Sequence, residues 1–185
     1  MSITTKRGDT GDTSLYSGQR RPKSDEIVNA CGDIDELVTV LGLAITKLTW
    51  LDSTPRRKYI LEELRWIQKT SFVLASELAT LEPRLSQLTQ RIDNDQLVIL
   101  THKTKELEGI TELPKGFILP GQSEVSTLID MSRTISRRVE RDIVRIQLQG
   151  DFVQPCVLAW VNRLSDFLYL LARHFEEGRY NLVKG

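Results

Sequence analysis

At 185 residues with 40% hydrophobic side chains, the chain has the size of one domain and enough apolar surface to bury a core. Its 25 basic residues balance 25 acidic ones, which excludes the global positive field that nucleic-acid and anionic-membrane binders carry. No apolar run approaches the ~20 residues of a membrane helix, and Cys31 and Cys156 form no disulfide framework. We therefore expect a single cytoplasmic domain over residues 1–185, with neither nucleic acid nor membrane as partner.

Residues 1–24 form a Gly-rich segment in which turn-forming and polar residues predict a loop arm. Apolar residues then recur at helical spacing in five segments of the region 25–178. The predicted helices run from 25 to 47, 55 to 80, 87 to 107, 123 to 149 and 155 to 177. Residues 108–121 predict a connector with one extended apolar piece, and 179–185 form a short tail. Without convincing pairs of strands, this pattern predicts an all-α, antiparallel five-helix bundle.

The arm, TKRGDTGDTSLYSGQRRPK from Thr5 to Lys23, combines glycines, hydroxyls and cations. Glycines let backbone N–H groups turn toward an anion, and basic side chains neutralise its charge, so the composition suits a phosphate-binding loop. The string is neither a Walker A motif nor a dinucleotide fingerprint. A disordered polar terminus is an equally good interpretation of this composition.

Arginines on the fourth predicted helix follow each other at four-residue intervals. Arg133, Arg137 and Arg141 form a ridge opposite the apolar stripe, with Glu140 beside it and Arg138 off the ridge. Guanidinium groups in register can grip a triphosphate, and a carboxylate can orient them or accept a ribose hydroxyl. A solvated helix face with Glu–Arg pairs is the commoner meaning of such a pattern.

Other polar residues leave the same choice between structure and ligand binding. Asn162 and Asp166 lie one helical turn apart on the fifth helix, where they can bond to another helix or to a ligand. Phe117 is either a core residue or a ligand contact. No Cys/His cluster has zinc spacing, no Ser-His-Asp set is evident, and His102 and His174 are expected at the surface. No protein metal site is predicted.

Six strings, in this order along the chain, resemble the PduO-type ATP:corrinoid adenosyltransferase family. They are TKRGDTGDTSLYSG, RRPKSDE, GDIDEL, FILPG, SRTISRRVERDIV and NRLSDFLYLLAR. Each string is weak alone, but the ordered set is specific and covers nearly the whole chain. The resemblance implies a five-helix bundle that assembles as a homotrimer, with ATP and corrinoid bound between neighbouring subunits.

The resemblance also implies roles for individual residues. The residues implied to wrap the triphosphate are Thr5, Lys6, Arg7, Gly8, Thr13, Ser14 and Lys23. Those implied to complete the nucleotide site are Arg137, Arg138, Glu140, Arg141 and Asn162. Asp35 would pair with Arg133 near the corrinoid, and Phe117 would cover the lower cobalt face and exclude the axial base.

The implied reaction is attack of a Co(I) corrinoid on the 5′ carbon of ATP, which expels triphosphate and leaves adenosylcobalamin. Mg²⁺ is expected with the triphosphate, and a corrinoid reductase and an adenosylcobalamin-dependent enzyme are the implied protein partners. The cofactor carries the reactive atom, which agrees with the lack of a catalytic triad. Two other hypotheses stay open, namely a non-catalytic ATP-binding sensor or corrinoid chaperone, and a helical interaction bundle.

The chain departs from the family pattern at two places. Thr10 stands where lysine is common, which removes one phosphate-neutralising cation that Arg7 or Arg20 would have to replace. Gln122 and Ser123 follow Gly121 where a second glycine is frequent.

Overall fold

A computed structural model of the protein describes residues 4–183. Within that range it contains five α-helices and one two-stranded antiparallel hairpin. The strands are β1 (Asp12–Ser14) and β2 (Arg20–Pro22), and the helices are α1 (Glu26–Thr49), α2 (Pro55–Leu78), α3 (Asn94–Ile110), α4 (Glu124–Leu148) and α5 (Pro155–Glu176). The all-α prediction with five helices is confirmed. None of these helices is both long and apolar enough to cross a bilayer.

Side-chain caps fix where most helices begin. The carboxylate of Asp25 accepts a hydrogen bond from the Ile27 N–H, and the Thr54 hydroxyl accepts one from Arg57. Ser123 accepts from the Ser126 N–H at 3.1 Å. Each cap satisfies a backbone donor that the first helical turn leaves free. The predicted bounds of α1, α2 and α4 are therefore close to the observed ones, and so are those of α5, which begins at Pro155 without a side-chain cap.

The predicted start of α3 at residue 87 is wrong. A single 3₁₀ turn ends at Gln87, and α3 begins only after Asp93, whose side chain accepts from the Gln96 N–H at 2.9 Å. Ile92, which falls within the predicted helix 87–107, lies before the observed helix, and its N–H donates to Glu77 Oε2 at 2.7 Å. Its burial comes from docking on the end of α2, which helical periodicity cannot distinguish from burial within a helix.

Helix α5 is the centre of the bundle, because α2, α3 and α4 all pack against it. Trp160, Phe167 and Leu171 on α5 are fully buried. The prediction that His174 lies at the surface is wrong, since its exposed fraction is 8%. Its Nδ1 lies 3.2 Å from the Thr111 hydroxyl, and burial lowers the pKa of the imidazole, with nearby Arg56 acting in the same direction.

The arm is more regular than a loop. β1 and β2 pair antiparallel with Thr13 opposite Arg21, which corrects the expectation of a segment without strands. Leu15, between the strands, is buried in the core. The Ser17 N–H donates to the Ala79 carbonyl at 3.2 Å, and Arg84 donates to the Ser17 carbonyl at 2.7 Å. These long-range contacts, invisible in composition, anchor the hairpin to the end of α2.

A buried ion-pair network joins α4 to α5. Arg173 is 1% exposed, and its Nη2 lies 2.6 Å from Asp130 Oδ2 on α4. Its Nε lies 2.7 Å from Glu176 Oε2, and its guanidinium lies over the Tyr169 ring at 4.9 Å from the centroid. A buried guanidinium is tolerated only when it is paired and hydrogen-bonded in this way.

Replacing Arg173 with methionine should lower the free energy of unfolding by about 3–5 kcal/mol, because two buried carboxylates lose their partner. The matched control is Arg163→Met, which removes a partly exposed arginine from the same helix that also pairs with an acid three residues on. The control should cost less than about 1 kcal/mol. Chemical denaturation at equal protomer concentration measures both, and similar losses would contradict the structural role of the network.

Candidate functional site

Two clefts lie on opposite flanks of α4. The first, called the arm cleft, has a volume of about 670 Å³ and is lined by Thr13, Lys23, Asp33, Arg138 and Asp142 among others. The second, called the arginine cleft, has a volume of about 340 Å³ and is lined by Arg133, Arg137, Arg163, Asp166 and Tyr169 among others. The residues predicted for one nucleotide site are therefore divided between two surfaces of a single chain.

The arm folds into consecutive turns beside the arm cleft. Lys6 adopts a left-handed backbone with φ of 58°, and the Asp9 N–H donates to its carbonyl at 3.3 Å. The Lys23 side chain lies against Gly8, where an added Cβ would sit 3.3 Å from both Cε and Nζ. The Lys23 ammonium therefore lies close to the backbone of the loop at Gly8, and a side chain there would displace it by a few tenths of an ångström. The exposed residues of the arm include Thr5, Lys6, Arg7, Thr10 and Ser14.

Arg138 is already paired within the chain. Its Nε lies 2.6 Å from Asp33 Oδ2, and its Nη2 contacts Glu36 Oε2, so that it joins α4 to α1. These two carboxylates from the GDIDEL string therefore neutralise a cation that the resemblance assigns to the nucleotide. A ligand at this position must share the guanidinium with them, and the predicted nucleotide role of Arg138 stays a prediction.

Asp142 brings a second carboxyl group to the same cleft. Burial raises the pKa of Asp142 to about 6, and a hydrogen bond and charge from Asp33 add to the increase. Arg145 opposes the increase, with its Nη1 2.8 Å from Asp142 Oδ1. Near pH 6 the charge of this cleft therefore depends on the protonation of one carboxyl group.

The arginine cleft presents guanidinium groups with fewer internal partners. Arg133 Nε lies 3.3 Å from Asp130 Oδ1, while the Arg137 side chain is exposed. Arg141 donates to the Arg137 carbonyl at 2.9 Å, which keeps the two in one row. The described residues thus give this flank of α4 a cationic surface that can receive an anion.

The polar residues of α5 meet α4 at the same flank. The Asn162 amide donates to Glu140 Oε1 at 2.8 Å, so Glu140 orients an amide rather than an arginine within this chain. Asp166 lies 3.6 Å from Arg163 and lines the cleft. The two predicted roles of Asn162 are compatible in this structure. Its amide bonds to another helix, and the residue is still exposed to a ligand.

Two predicted residues remain without the expected neighbours in one chain. Asp35 lies on the exposed side of α1, whereas the acid that contacts Arg133 is Asp130. Phe117 has an exposed fraction of 88%, which excludes the interpretation as a core residue. The predicted pairing of Asp35 with Arg133 and the predicted corrinoid contact of Phe117 would therefore need a second molecule, and both stay predictions.

Sequence reasoning missed several residues of the two clefts. Asp130 pairs with Arg133, Asp142 adds the titrating carboxyl group, and Arg163 and Tyr169 line the arginine cleft. The three-residue spacing of Asp130 and Arg133 was an available signal, since side chains at that spacing meet on a helix. Nothing in the sequence shows that Asp142 faces Asp33 on another helix.

Among known protein families, residues 3–175 of this chain match the model described as cobalamin adenosyltransferase. The corrinoid adenosyltransferase of Bacillus subtilis is 35% identical over 182 residues, which cover 94% of this chain and 86% of the relative. The corrinoid adenosyltransferase PduO of Citrobacter freundii is 33% identical over 173 residues. That match covers 94% of this chain but 49% of the relative, so the chain spans about half the length of this PduO protein.

A solved structure of similar fold is a variant PduO-type ATP:corrinoid adenosyltransferase from Lactobacillus reuteri complexed with cobalamin and ATP. It aligns over 100% of both chains with a TM-score of 0.85 and 28% identity. A second variant from that organism, complexed with ATP, has a TM-score of 0.83 and 28% identity over 98% of this chain and all of its own. Sequence and fold agree over the whole length of the bundle, and the chain belongs to the cobalamin adenosyltransferase family.

Proposed function

We propose that this protein transfers the 5′-deoxyadenosyl group of ATP to the cobalt of a reduced corrinoid. The Co(I) electron pair forms the Co–C bond, the C5′–O bond breaks, and triphosphate leaves with the bonding electrons. The observation that carries the proposal is the row of α4 arginines at the two clefts, in a chain that matches this family over residues 3–175. A reductase would supply the electron that makes Co(I), and an adenosylcobalamin-dependent enzyme would take the product.

The leaving triphosphate explains why the site is cationic. Negative charge accumulates on the phosphate chain as the C5′–O bond breaks, and fixed guanidinium and ammonium groups stabilise it without reorganisation. Lys23 and the arm turns would hold the phosphates on one side, and Arg137 and Arg141 on the other. Asn162 and Glu140 would then face the nucleoside.

Mg²⁺ would accompany the triphosphate. Residues 4–183 contain no group of three or more His, Cys, Asp or Glu side chains arranged to hold a metal ion. Mg²⁺ prefers oxygen ligands and is commonly bound through substrate phosphates and water. We therefore assign its ligands mainly to ATP, where the ion would offset the phosphate charge.

A homotrimer would unite the two clefts. The arm cleft and the arginine cleft lie on different flanks of α4, so their cationic residues face different directions within one chain. In a closed ring each subunit presents one face to its neighbour's different face, which would set the arm of one chain against the arginine cleft of the next. The exposed Asp35 would meet Arg133 of the neighbour at this boundary.

Phe117 would form the lower wall of the corrinoid pocket. A phenyl ring with 88% exposure leaves its apolar face in water unless a ligand or partner covers it. Packed against the lower face of the corrin ring, it would exclude the axial base from cobalt. A four-coordinate Co(II) corrinoid is easier to reduce, so the Phe117 ring would favour the formation of Co(I).

Incubation of the protein with ATP and a Co(I) corrinoid under anaerobic conditions should yield adenosylcorrinoid and inorganic triphosphate. Replacing Arg137 with alanine should lower the rate at least about a hundredfold, because a transition-state charge contact is lost. The control is Arg65→Ala, which removes an exposed arginine of α2 and should leave the rate unchanged. Absorbance of the Co–C product and chromatography of the phosphates measure both.

Other outcomes would replace the proposal. ADP and phosphate as products would indicate an ATPase. Binding of both substrates without product would indicate the sensor or chaperone, and no ATP binding at millimolar concentration would indicate an interaction bundle.

The pairing of Asp35 with Arg133 across subunits predicts complementation between two inactive variants. Asp35→Asn and Arg133→Met subunits should each be inactive alone, while co-refolding them at equal amounts should restore about one quarter of the sites. Each restored site would take its Asp35 from one chain and its Arg133 from the other. Activity of the mixture measures this recovery, with each separately refolded variant as control. No recovery in verified mixed oligomers would refute the pairing.

The titration of Asp142 predicts a pH-dependent affinity for ATP. Above a pKa of about 6 the carboxylate adds negative charge to the arm cleft and repels the triphosphate. Asp142→Asn should therefore bind ATP about two- to tenfold more tightly than the native protein above pH 7, and the difference should vanish near pH 5. Calorimetry at both pH values measures it. Asp52→Asn, which makes the same charge change in the exposed α1–α2 loop, should show no difference.

A further inference from the structure

The last described residues of the chain form an extended segment against the connector that carries Phe117. The Leu119 N–H donates to the Asn181 carbonyl at 2.7 Å, and the Val183 N–H donates to the Phe117 carbonyl at 2.8 Å. Between them, Ile118 and Leu182 form an antiparallel bridge. The two hydrogen bonds therefore fix the backbone on both sides of Ile118, one of them at Phe117 itself.

A second set of contacts joins the beginnings of the two segments. The Tyr180 hydroxyl donates to the Glu112 carbonyl. Gly178 lies beside the Glu112 carboxylate, where an added Cβ would sit 2.7 Å from Oε2, and its φ of 77° favours glycine. The chain thus turns sharply after α5 and returns along the connector, so that the tail and the connector are attached at both ends.

Side-chain packing within this chain does not fix the position of the Phe117 ring. With 88% of the residue exposed, its side chain gains little from packing in this chain. Gly116 precedes it and adds conformational freedom to the loop. Ordering such a loop only when the ligand arrives would cost backbone entropy at the moment of binding. A paired strand that fixes the loop beforehand removes most of that cost.

We propose that residues 180–183 of the tail are a positioning element that presents the Phe117 ring to the corrinoid. This inference rests on the proposed function, because it assigns the tail to the corrinoid half of that site. Val183 acts through the Phe117 carbonyl and is a positioning residue. The tail contacts named above go to the connector, so its loss should affect the cobalt step and spare ATP binding.

The test compares Val183→Pro with Val183→Ala in the full chain. Proline removes the N–H donor to Phe117, whereas alanine keeps it and shortens the side chain. From a Co(II) corrinoid and reductant, we expect Val183→Pro to form adenosylcorrinoid about two- to tenfold more slowly than Val183→Ala, the range set by one backbone hydrogen bond. Phe117→Ala, the reference for complete loss of the ring, should show a larger decrease.

Two further measurements separate positioning from general damage. The affinity for ATP, measured by calorimetry, should be equal in Val183→Pro and Val183→Ala. Hydrogen exchange of the Leu119 amide should be about two- to tenfold faster in the proline variant. The reason is that the hydrogen bond from residue 183 to the Phe117 carbonyl, which neighbours the bond of Leu119 to Asn181, is lost. Weakened ATP binding in the proline variant alone would overturn the inference in favour of a structural role.

The proposed function and the inference fail in distinguishable ways. If the native protein forms adenosylcorrinoid and the two Val183 variants form it equally fast, the tail does not position Phe117. If the native protein forms no adenosylcorrinoid, the proposed function fails, and Leu119 exchange still tests the contact itself. Equal exchange in the two variants would then overturn the inference, and faster exchange in the proline variant would support the contact.

Discussion

The buried ion pairs of Arg173 hold α4 and α5 in their observed arrangement. A guanidinium that is 1% exposed can stay charged only if carboxylates surround it, and Asp130 of α4 and Glu176 of α5 supply them. Asp130 also contacts Arg133, which begins the cationic row on the outer side of α4. The geometry that satisfies a buried charge thus also sets how α4 faces α5. Through Asp130, the buried charge of α5 is thus linked to the first arginine of the arginine cleft.

Helix α4 carries different chemistry on its two flanks, and this division shapes the proposed site. On the α1 side, Arg138 is bound by Asp33 and Glu36, so its charge is shared before any ligand arrives. On the α5 side, Arg137 is exposed beside Arg141. In the proposed site, another subunit would bring the arm together with the free arginines. Joining subunits in this way would make assembly a condition for catalysis.

The arm and the tail are both held by hydrogen bonds to other parts of the chain. The arm is held through the buried Leu15 and the contact of Ser17 with the end of α2, and the tail is held to the connector at Glu112 and Phe117. Ligand-binding loops on a rigid scaffold are a common arrangement, because loops can adopt the backbone shapes that a ligand requires. In this protein the scaffold contributes charge from α4, and the loops contribute turns and an exposed ring.

From the sequence alone, most helix bounds and the cationic character of the proposed site were predictable. Apolar residues such as Leu128, Ile135 and Val139 recur at helical spacing, so α4 was predictable, and the ordered motifs identified the family. Periodicity shows which side of a helix is apolar, but it does not show which neighbours cover the other sides. The folded structure alone therefore shows that His174 is buried, that Ile92 precedes α3, and that the arm forms a hairpin. It also decided that Arg138 binds the α1 carboxylates and that Asp35 lies apart from Arg133, because these distances depend on how separate helices dock.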